Sequence, residues 1–377
     1  MKKSTQKVLF QLVQLGLGIE NKDIISDKVD WMLLFDVSEQ QGVAGICVDG
    51  FQKALTLNLL NGEALNSLNS PRVEYRKLQW FGGVMQMEQE YNQRLRIFLE
   101  LQAKWKEAGI DAAILKGMAF AQYWPKAEHR GSCDVDCFLM KPYQTADVSL
   151  IGRGSIMADK GDEIAEEQGA KVDRSEQKHS HIYYKGLHVE NHHTCCGQLT
   201  DPKIAELESF LEKLLNDPGN GTIEGTTIVK TPLLFDALFC LYHARVHLIV
   251  EEGIQLKHLV DWFLISKRVK EEFTEQFFSE YVETFGLTKF YNSIEHVSQY
   301  AFGSYEYEKL NEAELFMLED IFYHESSAEI NKGSLFSRRL KYLQSIWRNR
   351  KKYPLYTDSS AMQMMWWYVK GYVKRWG

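Results

Sequence analysis

The chain has 377 residues, 45% hydrophobic and 12% aromatic, enough apolar material for about two to three packed domains and too much for a disordered chain. Its formal charge of −7 argues against a nucleic-acid coat, whose phosphate contacts need a basic surface. Six cysteines without Cys-x-x-Cys spacing or a disulfide framework predict a reducing, cytoplasmic home.

Taken in chain order, Met1-Lys2-Lys3 followed by Val8 to Gly18 faintly resembles a secretory leader. Gln11 and Gln14 interrupt the apolar run and no small-residue cleavage site follows, so an amphipathic helix is the better reading. Trp31 to Val37 and Val73 to Ala108 carry the clearest helical patterns of a region, 1–105, that reads as helical. Gly109 to Leu115 reads as a turn and a short apolar strand, entering Lys116-Gly117 and then a helical stretch, Met118 to Tyr123. The run Arg130-Gly131-Ser132-Cys133-Asp134-Val135-Asp136-Cys137-Phe138-Leu139-Met140 sets two carboxylates two residues apart on what reads as a buried strand. Asp159 to Gln168 predicts a helix on the outer face of a sheet, with Gly154 and Gly161 giving a flexible approach to it. His179 to Tyr184 and Leu187 to Asn191 read as strands joined by a two-residue turn at Lys185-Gly186.

Pro218-Gly219-Asn220-Gly221 is a strong turn signal and Thr226 to Val229 a brief strand. Thr231 and Pro232 fit the N-cap and first residue of a helix. That helix, Leu233 to Val250, is the most apolar stretch, but Asp236, His243, Arg245 and His247 within it predict a buried helix and not a membrane span. Two further helices are predicted over Leu335 to Lys352 and Ala361 to Arg375, broken around Pro354. From Lys332 onward eleven Lys/Arg face the single acid Asp358, so this tail carries +10 and the preceding chain −17. The pattern predicts an α+β protein: an N-terminal helical region (1–105), an α/β core with a small sheet (106–230) and a C-terminal helical domain with a basic, aromatic tail (231–377).

The chemistry concentrates around two acids. Side chains alternate along a strand, so Asp134 and Asp136 project to one side. Two anions sharing a face are costly unless a cation lies between them, which points to a divalent metal and a phosphorylated substrate; a surface strand with two solvated acids is the bland reading. Glycine at a helix entry permits close backbone approach, and Lys116 adds a point charge suited to phosphate. On the later strand the same alternation sets His188, Glu190 and His192 on one face, making Glu190 a candidate third carboxylate.

A strand ending in Leu115-Lys116-Gly117, an arginine shortly before Asp-x-Asp, and a later strand with an acid followed closely by His resemble the bacterial uncharacterised nucleotidyltransferase family, a branch of the polymerase-beta-like nucleotidyltransferase superfamily. The resemblance runs from about Trp31 to Lys267, with a second patch in which His243 and His247 precede Gly253, Leu256 and Asp261. It implies a small mixed nucleotidyltransferase-type sheet flanked by helices. It also implies that Asp134, Asp136 and Glu190 bind Mg²⁺ (Mn²⁺ as an alternative ion) and are catalytic, while Lys116, Gly117 and Arg130 border the nucleotide phosphates. His188, His192, His243, His247 and Asp261 would support them from the second layer. The superfamily's Gly-Ser or Gly-Gly at the head of the first helix is replaced by Lys116-Gly117-Met118, and Gly131-Ser132 lies too close to the aspartates to serve.

The implied reaction moves a nucleoside monophosphate from a nucleoside triphosphate to a hydroxyl-type acceptor on a small molecule, sugar or protein. The alternative is a catalytically inactive module that binds nucleotide or a partner, favoured by the missing Gly-Ser. A zinc site at His188, His192, His193, Cys195 and Cys196 is the weaker reading, because adjacent strand residues face opposite ways. His243 and His247, at i and i+4 on a helix, could share a metal, though no Glu follows His243 as in His-Glu-x-x-His. The tail's Met364, Met365, Trp366, Trp367, Tyr368, Tyr372 and Trp376 among Lys370, Lys374 and Arg375 fit packing on its own domain, contact with an acidic partner or membrane surface, or a basic border to the cleft.

Overall fold

The structure, a computed structural model, describes residues 3–25, 27–131, 134–141, 154–176, 178–197, 200–217, 219–223, 225–250, 253–323 and 335–373. Ser132, Cys133, Pro218, Lys374, Arg375 and Trp376 lie outside them. The described residues form an α+β fold, a small mixed sheet among many helices.

Five helices precede the sheet: α1 (Lys3–Gly16), α2 (Trp31–Gln40), α3 (Ala44–Thr56), α4 (Gly62–Leu68) and α5 (Pro71–Glu107). α1 and α3 cross at backbone contact, since a Cβ on Gly50 would stand 1.8 Å from the Leu12 carbonyl oxygen. Phe35 stacks on Trp80 with ring centroids 4.6 Å apart, and the Trp80 indole donates to Ser38 Oγ at 2.9 Å. Aromatic area thus joins α2 to α5 while the indole N–H keeps a partner.

The sheet comprises β1 (Asp111–Ile114), β2 (Val135–Met140), β3 (Lys171–Asp173), β4 (His179–Tyr184) and β5 (Leu187–His192), in the order β1-β2-β5-β4-β3. β2 and β5 are parallel and the other pairs antiparallel. The β4–β5 hairpin closes on Lys185 and Gly186 with φ of 48° and 83°, the left-handed pair that a two-residue turn between twisted strands requires. The predicted helix after Lys116-Gly117 is shorter than expected, a single turn, α6 (Met118–Ala121). α7 (Gly154–Glu167) covers one sheet face. Gly161 is a tight contact there and not a flexible approach: its Cβ would meet Leu139 Cδ1 at 2.0 Å, and its carbonyl accepts from the Trp105 indole of α5 at 2.9 Å.

Helices follow: α8 (Pro202–Leu215), α9 (Leu233–Ile249), α10 (Leu256–Glu272), α11 (Glu275–Thr284), α12 (Thr288–Phe302), α13 (Glu312–Tyr323), α14 (Leu335–Arg348), α15 (Tyr353–Tyr356) and α16 (Ala361–Val373). The strand expected over Thr226 to Val229 reduces to isolated bridges from Val229 to Ala113 and Thr222. Pro232 caps α9, displacing Thr231 from that role because the Thr231 hydroxyl instead donates to Asp236 Oδ1 at 2.6 Å. The described residues of the tail form three helices where two were expected. Buried Lys352, between α14 and α15, donates to the Leu248 carbonyl at 2.9 Å and to Asp320 at 2.5 Å. Its aromatics divide, with Trp366 64% exposed and Tyr353 and Tyr356 fully buried. Among the described residues no helix is long and apolar enough to cross a membrane.

Candidate active site

The parallel pairing of β2 with β5 sets Asp136 opposite Glu190, and side chains opposite one another on paired strands share a face. Asp134 enters that face just before β2. The antiparallel pairing of β4 with β5 sets His179 opposite His192, His181 opposite Glu190 and Tyr183 opposite His188. Three strands therefore contribute to one polar face: Asp136 from β2, His188, Glu190 and His192 from β5, His179 and His181 from β4.

The opposite face is held by a buried network. Asp162 of α7 accepts from Ser180 Oγ at 2.6 Å and from Asn191 Nδ2 at 2.8 Å, and Asn191 also donates to the Ala158 carbonyl at 2.9 Å. These bonds tie β4 and β5 to α7, which fixes how the polar face is presented.

Asp136 is 1% exposed and is approached by two cationic or donor groups. Lys116 Nζ lies 3.0 Å from its Oδ1, and His192 Nε2 lies 2.9 Å from the same oxygen. Burial alone would raise the Asp136 carboxyl, but Lys116 and His192 outweigh it and hold it well below the usual range. Burial would likewise depress Lys116, yet the charges of Asp136, Glu190 and Asp134 hold its ammonium above the ordinary lysine value. Asp134 goes the other way: burial and the neighbouring Asp136 charge raise it. Glu190 lies 3.6 Å from His179 Nε2 and 3.7 Å from His192 Nε2; burial would raise its carboxyl, but His192, His179 and Lys116 together hold it below the usual value. The arrangement is a cluster of three carboxylates partly neutralised by one lysine and bordered by imidazoles.

A family model described as an uncharacterised nucleotidyltransferase matches residues 27–303. The chain belongs to that family. No curated protein and no solved structure matches it. Membership in the nucleotidyltransferase family carries nucleotidyl transfer as the general chemistry and a nucleoside triphosphate as the donor.

The remaining residues singled out from the nucleotidyltransferase resemblance fall in two places. Gly117, φ 59°, turns the chain between Lys116 and α6 in a region that favours glycine. Arg130 pairs with α10: its Nε and Nη2 grip the Asp261 carboxylate at 2.8 and 2.7 Å, and Asp261 also accepts from the Trp124 indole at 2.8 Å. That bidentate pair, 6% and 1% exposed, braces the segment leading into β2. His243 and His247 meet at Nε2–Nε2 3.1 Å, with His258 of α10 beside them. Burial and then the Lys116 charge push His243 well below the histidine range, so α9 borders the site on the lysine side. His258 Nδ1 accepts from the Gln255 backbone N–H at 3.0 Å, which occupies the lone pair a metal would need there.

Cys195 and Cys196 belong to the zinc alternative. Both are buried, and their backbone N–H groups donate to Glu208, while burial pushes both thiols well above the usual range. Sequence reasoning missed His179, His181, His258 and Trp124. For the first two a signal existed, the same alternation applied along the preceding strand.

Proposed function

We propose that this protein transfers a nucleoside monophosphate from a nucleoside triphosphate to an acceptor hydroxyl or similar nucleophile in a Mg²⁺-dependent reaction, releasing pyrophosphate. The observation that carries it is the register of β2 on β5, which brings Asp136 and Glu190 together beside Asp134 and Lys116. Three hard carboxylates with a single lysine as counter-charge form a donor set that suits Mg²⁺ or Mn²⁺. Asp134, Asp136 and Glu190 would hold the ion, which when bound supplies charge neutralisation and a lowered pKa for the acceptor.

The chain's own groups do the rest. Lys116, a firmly charged ammonium, offers positive charge to the triphosphate. His192 orients Asp136 from the neighbouring strand, and the Arg130–Asp261–Trp124 brace fixes the approach to β2. The acceptor oxygen bonds to the α-phosphorus, the bond to the pyrophosphate oxygen breaks, and the acceptor proton passes to solvent or to Glu190. Positioning and electrostatics supply most of the rate in such transfers.

Two observations favour a second reading, a nucleotide-binding module without catalysis: Lys116 sits directly on Asp136, and the Arg130 fork is committed to Asp261. Calorimetric titration of the four nucleoside triphosphates with and without Mg²⁺, paired with an assay of pyrophosphate release, separates the two. Wild type is expected to bind one triphosphate more tightly with Mg²⁺ and to release pyrophosphate with an acceptor. A combined Asp134→Ala, Asp136→Ala variant is expected to lose the Mg²⁺-dependent increment while retaining metal-free binding through the released Lys116. Mg²⁺-dependent binding without turnover across acceptors would favour the module, and no triphosphate binding by folded wild type would sink both.

A further inference from the structure

We propose that Glu176, His179 and His181 form a binding site for a zinc-class transition ion on the histidine-bearing face, separate from the carboxylate site and independent of the nucleotidyl-transfer reading. His179 and His181 are alternate residues of β4 and so share its face. Glu176, three residues before His179, turns back toward both. Its Oε2 lies 3.3 Å from His179 Nε2 and its Oε1 3.7 Å from His181 Nε2. Within the trio one donor atom from each residue lies within 4.8 Å of the others.

These spacings exceed the roughly 2.7–2.9 Å of a charge-assisted hydrogen bond. They approach the edge of a tetrahedron, roughly 3.3–3.5 Å, that follows from bonds of about 2.0–2.2 Å between zinc and nitrogen or oxygen. Glu190 Oε1 lies 3.6 Å from His179 Nε2 on the far side of this trio and stays with the carboxylate site, so the two sites would adjoin. Two imidazoles in the donor set select zinc-class ions over Mg²⁺.

The second layer is also present. His181 Nδ1 faces His188 Nε2 at 2.9 Å; with the proton on that Nδ1, the Nε2 lone pair of His181 turns to Glu176, the tautomer that ligation requires. His188 is held in place by stacking on Tyr183, ring centroids 4.9 Å apart and 10° between planes.

The test is calorimetric titration of Zn²⁺ alone into the metal-stripped full chain in excess Mg²⁺, repeated with Co²⁺ to read coordination from its visible absorption. One equivalent of tight binding is expected. Glu176→Gln and His181→Ala should each weaken it by at least ~100-fold, and His188→Ala by about 10–100-fold, the usual cost of losing a partner of a ligand. The Asp134→Ala, Asp136→Ala variant should keep it. Far-UV circular dichroism establishes that each metal-free variant is folded; should His181→Ala fail to fold, Glu176→Gln and His188→Ala decide the matter. Absence of zinc binding, binding undiminished by Glu176→Gln, or binding lost with Asp134 and Asp136 overturns the proposal.

Discussion

Asp236 has no exposed surface, and both its oxygens accept hydroxyl hydrogen bonds, from Thr231 and Tyr123, each at 2.6 Å. Burial nevertheless pushes its pKa up from 3.8 to about 7, since two neutral donors offset only part of the desolvation. The folded chain then binds more protons than the unfolded one between those two values. Stability contributed by this residue is full below about pH 4 and falls by up to ~1.4 kcal/mol per pH unit as pH rises toward 7. Asp236→Asn should therefore match wild type near pH 4 and exceed it at pH 8, read by urea denaturation across that range; parallel profiles would refute the assignment. Nothing in the sequence distinguished Asp236 from an ordinary first-turn acid, because one of its two partners, Tyr123, comes from a turn more than a hundred residues away. His179 and His181 differ. A two-residue turn at Lys185-Gly186 fixes Tyr184 opposite Leu187, and counting outward sets His181 opposite Glu190, so their place beside the acid was readable. The partner of Arg130 was not readable, because Asp261 lies on a distant helix whose approach no local pattern encodes.

Elements with strong local signals were legible: the long α5, the β4–β5 hairpin with its turn, and α7 on the outer face. The parallel register of β2 on β5 was not, because parallel strands are joined by long crossovers whose length leaves the offset free. Gly161 was misread for the same reason, as the role of a helical glycine depends on what lies across the contact. In α3, the Cβ of Gly50 would clash with the Leu12 backbone, at 1.8 Å from its oxygen and 2.6 Å from its carbonyl carbon. Backbone cannot rotate aside as a side chain can, so Gly50→Ala must separate α1 from α3 and should cost on the order of 3 kcal/mol. Gly82, in α5, meets nothing within 4 Å, and Gly82→Ala should stabilise by about 0.5–1 kcal/mol through helix propensity alone. Chemical denaturation of both variants checks the contrast; equal effects would mean that the α1–α3 crossing is looser than described.

The family match covers residues 27–303, yet the packing that supports this segment extends beyond both ends. Phe10 of α1 sits among Tyr300 and Phe302 of α12 and Phe322 of α13, at centroid distances of 5.9, 6.1 and 5.8 Å. Phe290 of α12 packs edge-on against Tyr356 at 6.3 Å, and the Tyr356 hydroxyl donates to the Ala313 carbonyl at 2.6 Å. Leu9, Leu12, Val13, Met317, Ile346, Tyr353 and Tyr356 all belong to the excluded ends and are essentially fully buried. At about 1.5–3 kcal/mol for each large apolar side chain buried, their loss is comparable to the whole of the roughly 5–15 kcal/mol by which a domain is ordinarily stable. The same truncation leaves Leu248 and Ile254 without the Lys352 and Asp320 groups that satisfy their backbone. A chain cut to residues 27–303 should therefore keep every acid of the site and still fail to unfold cooperatively, giving a broad thermal transition and rapid proteolysis where the full chain gives a sharp transition and resists. A truncated chain that melts cooperatively near the full-length temperature would show that the helices outside the matched region are appended to the catalytic fold and not part of its core.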